Sequence, residues 1–186
     1  MGQRHDERRS EARIRHAIMS SEIVNKVANS GLITFNLEDF YPKGKRCFFD
    51  LKDCLYEGLI LKEKDFREFV KTHNWAQYKE CYVAVDCSVD AIIPIWAYML
   101  VSNALAPLTL KVTKGSLEQL ESILFEEALA KMDLEKYKNE RVIIKGCSQK
   151  PVPENAYVRL TTLLSPITKS IMYGEACSTV PIYKKK

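Results

Sequence analysis

Three of the six cysteines in this 186-residue chain stand in the same dipeptide: Cys87-Ser88, Cys147-Ser148 and Cys177-Ser178. Each follows a short β-prone run, at 82–86, at 141–145 (through Gly146) and at 170–173 (through Gly174-Glu175-Ala176). In a parallel sheet the carboxyl ends of all strands face one way, and ligands bind in the crevice beyond them. The three thiols are therefore expected on one rim. Glycine-bearing loops there let backbone N–H groups approach an anion or sulfide. Cys87 also precedes an expected helix, whose N-terminal dipole favours thiolate over thiol. Asp86 and Glu175 are the adjacent carboxylates that would complete a coordination sphere. Three thiolates and one further ligand make an ordinary tetrahedral zinc site, and the same set suits an iron–sulfur cluster with one exchangeable corner.

Two other accounts stay open for these thiols. The chain contains no Cys-x-x-Cys, the spacing that most structural zinc sites and ferredoxin runs use. Free cysteines behave as small hydrophobes and often finish strands inside a core. A reactive thiol without metal is the third reading. Cys47 and Cys81 fall in or beside strand-like runs and read as buried, whereas Cys54 reads either way. His73, at the end of an expected helix, reads as a surface or capping residue.

Other catalytic templates are missing. There is no Gly-x-Gly-x-x-Gly after a strand, no Gly-x-x-x-x-Gly-Lys and no Gly-x-Ser-x-Gly. Glu121, Glu126 and Glu127 lie on the polar side of an amphipathic helix and read as solvated.

The elements that must position these residues follow from periodicity. Residues 21–28 carry a helical pattern, and 32–37 and 46–51 are strand-like runs that would form a hairpin across the turn at Pro42 and Gly44. A short helix over 51–56 would close at Gly58, and Asp65 would cap a helix bearing Phe66, Phe69 and Val70. Strands at 82–86, 108–113, 141–145 and 170–173 then alternate with helices at 90–105, from Leu117 to Leu129 and from Pro153 to Leu164. Ser116 and Gln119 fit a capping box. Strand–helix alternation of this length implies crossover connections, hence an α/β fold with a largely parallel sheet, helices on both faces and an N-terminal hairpin and helical addition. Residues 1–18 are expected to be a flexible basic extension, and 19–186 a single domain.

Composition narrows the function classes. With 46% apolar and 28% charged residues the chain is neither disordered, fibrous nor a disulfide scaffold. The net charge of +4 sits at the two ends, in five arginines before residue 16 and in Lys184-Lys185-Lys186, so no basic face for nucleic acid is expected on the body. The longest apolar run, 91–101, is too short to span a bilayer, and no apolar run follows the N-terminal arginines. A cytoplasmic protein with reduced thiols is therefore expected.

Four phrases carry a family resemblance: IVNKVANSG at 23–31, GLILKEKDFR at 58–67, IKGCS at 144–148 and SIMYGEACSTVP at 170–181. Together they resemble a bacterial domain-of-unknown-function family, number 2480, over 19–184. The resemblance implies a role in iron–sulfur cluster biogenesis or maturation, with a protein partner in cluster assembly, and it places Cys147 and Cys177 inside the most recognisable phrases. The expected function is thus binding of zinc or an iron–sulfur cluster, or sulfur handling, through Cys87, Cys147 and Cys177. The rival is a non-catalytic interaction module with structural cysteines. A homodimer is the default state for such a chain.

Overall fold

In a computed structural model of the chain, residues 31–146, 149–175 and 177–186 are described. The expected extension at 1–18, the helical pattern at 21–28 and Cys147 lie outside the described residues. The described residues form β1 (Leu32–Asn36), β2 (Lys45–Asp50), α1 (Glu63–Thr72), β3 (Cys81–Asp86), α2 (Ile95–Leu105), β4 (Lys111–Lys114), α3 (Leu117–Ala130), β5 (Arg141–Lys145), α4 (Glu154–Leu164), β6 (Ser170–Glu175) and β7 (Ser178–Lys184).

The α/β class is as expected, but the strands divide between two sheets, not one. β2, β3 and β4 make a three-stranded sheet in that order, and β1, β5, β6 and β7 make a four-stranded one. The first is parallel throughout, with Cys47 opposite Val83 and Val83 opposite Val112. In the second, β5 and β6 are parallel and β6 and β7 antiparallel.

Why two sheets form is written on α3. Leu120 and Leu124, one turn apart, pack with Ala84 of β3. Phe125 and Leu129, a second i, i+4 pair rotated by roughly 140°, enter the core of the four-stranded sheet with Phe35, Val142, Ile144 and Ile171. One helix with two apolar stripes thus serves both sheets. The opposite face of β3 presents Cys81, Val83 and Val85 to Phe66 of α1 and to Ala97, Val101 and Leu105 of α2. The three-stranded sheet therefore has helices on both faces, whereas α3 and α4 cover one face of the other.

The expected hairpin of 32–37 with 46–51 does not form, because β1 and β2 belong to different sheets. A 3-10 turn at Leu37–Phe40 follows β1, capped by Asn36, whose side chain accepts from the Glu38 N–H at 3.3 Å. Eight residues, 37–44, then carry the chain across, far more than a tight hairpin uses. The expected short helix at 51–56 is a 3-10 turn over Leu51–Cys54. Asp65 lies in the first turn of α1 and is not its cap; that position is Lys62.

The capping box is present as the spacing predicts. The Gln119 N–H donates to Ser116 Oγ at 3.2 Å and the Ser116 N–H to Gln119 Oε1 at 2.8 Å. Gly115 before it has φ +131°, and a Cβ there would lie 2.2 Å from Gln119 Oε1. β7 was not anticipated. Its Pro181 cannot donate to a ladder, which suits only an edge strand or a bulge, and it sits where the β6–β7 register shifts.

Candidate functional site

The sequence places its candidate thiols at strand carboxyl ends, and the two sheets separate them. Cys87 follows β3 in the three-stranded sheet, whereas Cys147 and Cys177 follow β5 and β6 in the other. The common rim expected for all three therefore fails for Cys87.

At the carboxyl edge of the three-stranded sheet the polar groups are occupied with one another. Asp50, at the end of β2, accepts at Oδ1 from the Lys52 and Ser88 N–H groups, both at 3.0 Å. Burial alone would raise its pKa, but hydrogen bonds from Ser88 and Lys52 outweigh it and hold the carboxyl at about 2. Asp86 Oδ1 accepts from the Cys87 N–H at 2.9 Å and from the Tyr98 hydroxyl at 3.3 Å, with Lys114 Nζ 3.6 Å away. Burial, then the Asp86 carboxylate, pushes Tyr98 up to about 12. Cys87 itself is half-buried and packs into the apolar core. The expected helix over 90–105 begins only at Ile95, behind Pro94 in extended conformation. Cys87 is thus eight residues ahead of the helix, and the dipole reason for a thiolate there fails.

The other cysteines of this sheet share that core. Cys47, Cys54 and Cys81 pack against the Phe49–Val83–Leu105 cluster. Burial, then the contact with Cys81, raises the Cys47 thiol to about 11. Burial, then the Asp53 and Asp50 charges, raises Cys54 to about 11. Thiols this weak stay protonated at neutral pH and are poor nucleophiles and poor ligands. The burial reading is met by Cys81, whereas Cys47 and Cys54 are half-buried against the same core. His73 occupies the C-cap of α1, half-buried among Phe69, Trp75 and Phe49. Burial lowers its pKa.

The four-stranded sheet is arranged differently. β5 and β6 are parallel neighbours, Ile144 standing opposite Tyr173. Cys147 comes two residues after β5 and Cys177 two after β6. β6 does not end in an open crevice, however. It returns directly as β7, with Glu175 paired to Ser178, so Cys177 sits exposed at the second position of a two-residue hairpin turn. Gly174 makes the turn feasible, since its φ is +115° and a Cβ would approach Ser178 O to 2.6 Å. The Glu175 carboxylate lies 3.7 Å from Lys145 Nζ at the end of β5. Asp86 and Glu175 thus stand on different sheets.

A residue that sequence reasoning missed is Glu38. It is buried, and its carboxylate accepts from the Gln149 N–H at 2.9 Å while its carbonyl accepts from Lys150 Nζ at 3.0 Å. It therefore fastens the segment that follows Cys147-Ser148. On the near side of that dipeptide, a Cβ at Gly146 would meet Leu37 Cβ and Tyr157 Oη at 3.1 Å. No local signal marks Glu38, whose neighbours Leu-Glu-Asp-Phe read as an ordinary surface turn. Among the described residues no group of three or more His, Cys, Asp or Glu side chains is placed to hold a metal ion, and no helix is long and apolar enough to cross a membrane.

Neither a curated protein nor a solved structure matches the chain. The model of one family, described as protein of unknown function (DUF2480), matches residues 21–185, nearly the whole length. That agrees with the four phrases quoted above, and the chain belongs to the DUF2480 family.

Proposed function

We propose that this chain takes up zinc or an iron–sulfur cluster, or handles sulfur, through Cys147 and Cys177 at the shared carboxyl end of β5 and β6, with Glu175 beside them. The single observation that carries this is the parallel pairing of β5 with β6, which sends the residues after both strands out of the sheet at one end. Cys177 adds a solvent-exposed soft donor there, suited to soft metals. Two thiolates fill half of a tetrahedral shell. The remaining positions fall to Glu175, to a second copy or to the thiol of a protein partner in cluster assembly. Cys87, on the other sheet, is not needed from the same chain.

Full-length protein purified without oxygen tests this by its zinc, iron and acid-labile sulfide content and its visible spectrum. The expected result is a stoichiometric metal that Cys177→Ser loses while keeping its fold by circular dichroism, because a hydroxyl is a poor substitute for a thiolate. Metal-free protein under those conditions, or metal retained in both Cys177→Ser and Cys147→Ser, overturns the assignment.

A further inference from the structure

Among the described residues, two apolar surfaces are uncovered, one convex and one concave. The convex one is the segment from Val89 to Met99 that leads into α2. Ile92 is 90% exposed, Ile95 71% and Met99 65%, with Val89 also exposed. The run 91–110 carries no Asp, Glu, Lys or Arg. A helix apolar on every side is normally buried on every side, yet α2 buries only the face bearing Ala97, Val101 and Leu105.

The concave surface is a cleft of about 620 Å³ between α4 and strands β5, β6 and β7. Its apolar lining includes Val152, Val158, Tyr173 and Ile182, and Tyr157 meets Tyr173 edge-on at 5.8 Å. Val158, Tyr173 and Ile182 are exposed. Thr161 and Thr162 also line it, but their hydroxyls donate to the Tyr157 and Arg159 carbonyls. Among the described residues, Glu154 is the only charged one in the lining. A small-molecule site needs a few convergent polar groups to orient its ligand, and beyond Glu154 and the tyrosine hydroxyls this lining is apolar. It suits an uncharged apolar protein segment.

We propose that two copies of this chain pair reciprocally, the 89–99 segment of each seating Ile92 and Ile95 in the α4 cleft of the other. In a closed two-fold pair, residue i meets j and j meets i, so one contact made twice covers both surfaces. Seven exposed side chains per copy at on the order of 100 Å² each remove roughly 1,400 Å² in all, within the size class of stable interfaces. No charge on the 91–110 run is buried by the contact. This pairing is independent of the thiol assignment above.

Sedimentation or light scattering of the full chain at micromolar concentration tests it. Wild type is expected as a dimer. Ile92→Lys and Val158→Glu (62% exposed in the single chain) are each expected as folded monomers by circular dichroism. Mixing the two variants is expected to restore a dimer, because the intact segment of one meets the intact cleft of the other and Lys meets Glu at the second contact. Monomeric wild type, or Val158→Glu that remains dimeric, overturns the proposal, and the latter result would mean α2 pairing on itself. Failure of the mixture to dimerise overturns the reciprocal geometry.

Discussion

Replacing Asp50 with Asn removes a charge and keeps the shape, so it isolates what the carboxylate contributes at the carboxyl edge of the β2–β3–β4 sheet. Its oxygens take the Lys52 and Ser88 N–H groups at 3.0 Å, with Lys52 Nζ at 3.3 Å. A carboxyl held at about 2 against an ordinary 3.8 corresponds to a ceiling of about 2.4 kcal/mol at neutral pH, since one pKa unit is about 1.4 kcal/mol. Partial solvent access brings the expected loss to about 1–2 kcal/mol. The pH dependence fixes the sign. The folded pKa is depressed, so the stabilisation is fully present above about pH 4 and is lost as pH falls through 2, with about half remaining at pH 3. Urea unfolding followed by the fluorescence of Trp75 and Trp96, at pH 7, 5 and 3, reads the difference directly. Asp50→Asn is expected to lie below wild type by about 1–2 kcal/mol at pH 7 and by about half that at pH 3. A gap that stays constant from pH 7 to pH 3 would falsify the electrostatic account, leaving only altered packing. No gap at all would mean that the Ser88 turn does not depend on Asp50.

Arg46 makes a bidentate ion pair with Glu121 (Nη2–Oε2 3.1 Å), donates to the Pro42 and Gly44 carbonyls at 2.7 and 2.6 Å, and lies 4.1 Å over the Tyr41 ring. Both charged side chains are only 13% exposed. Arg46→Met is therefore expected to cost about 3–5 kcal/mol, because it strands a carboxylate and two carbonyls. The double variant with Glu121→Leu should recover part of that loss, and a double-mutant cycle with no coupling would refute the clamp. Thiol reactivity supplies a further check: iodoacetamide at pH 8, mapped by mass spectrometry, should label exposed Cys177 well before Cys47 and Cys54, whose thiols stand at about 11. Labelling of Cys54 as fast as Cys177 would show that the α1–α2 face opens in solution.

Local chemistry was legible and the partners of each strand were not. The unbroken apolar run Val83-Ala84-Val85 reads as a strand buried on both faces, and it is one. Ser116 and Gln119 declare the start of α3 three residues apart. Helix boundaries moved where proline intervened: Pro94 holds the chain extended, so the first four residues of the apolar run 91–101 lead into α2 as a loop. The division into two sheets could have been suspected from α3, because Leu120 and Leu124 define one stripe and Phe125 and Leu129 another. A single helix covering a single sheet needs only one. Pro181 hid β7 by breaking the strand pattern, although an edge strand tolerates proline where a central one does not.

The three Cys-Ser dipeptides show why a repeated motif is weaker than the sheet that carries it. Ser88 is fixed by Asp50, 38 residues earlier, and Cys87 turns into a core. Cys177 stands in a hairpin turn open to solvent, and the segment beyond Cys147-Ser148 is fastened to Glu38 from 111 residues away. None of these partners lies within the reach of helical or strand periodicity, which sees only three or four residues ahead. What alternation does predict is that a strand–helix–strand unit is parallel, and it is so for β5–α4–β6. That local rule sets the common direction of β5 and β6, the strands that precede Cys147 and Cys177 in sequence. The third thiol required β3 to join the same sheet, a choice made by the two apolar stripes of α3 and not by anything near Cys87.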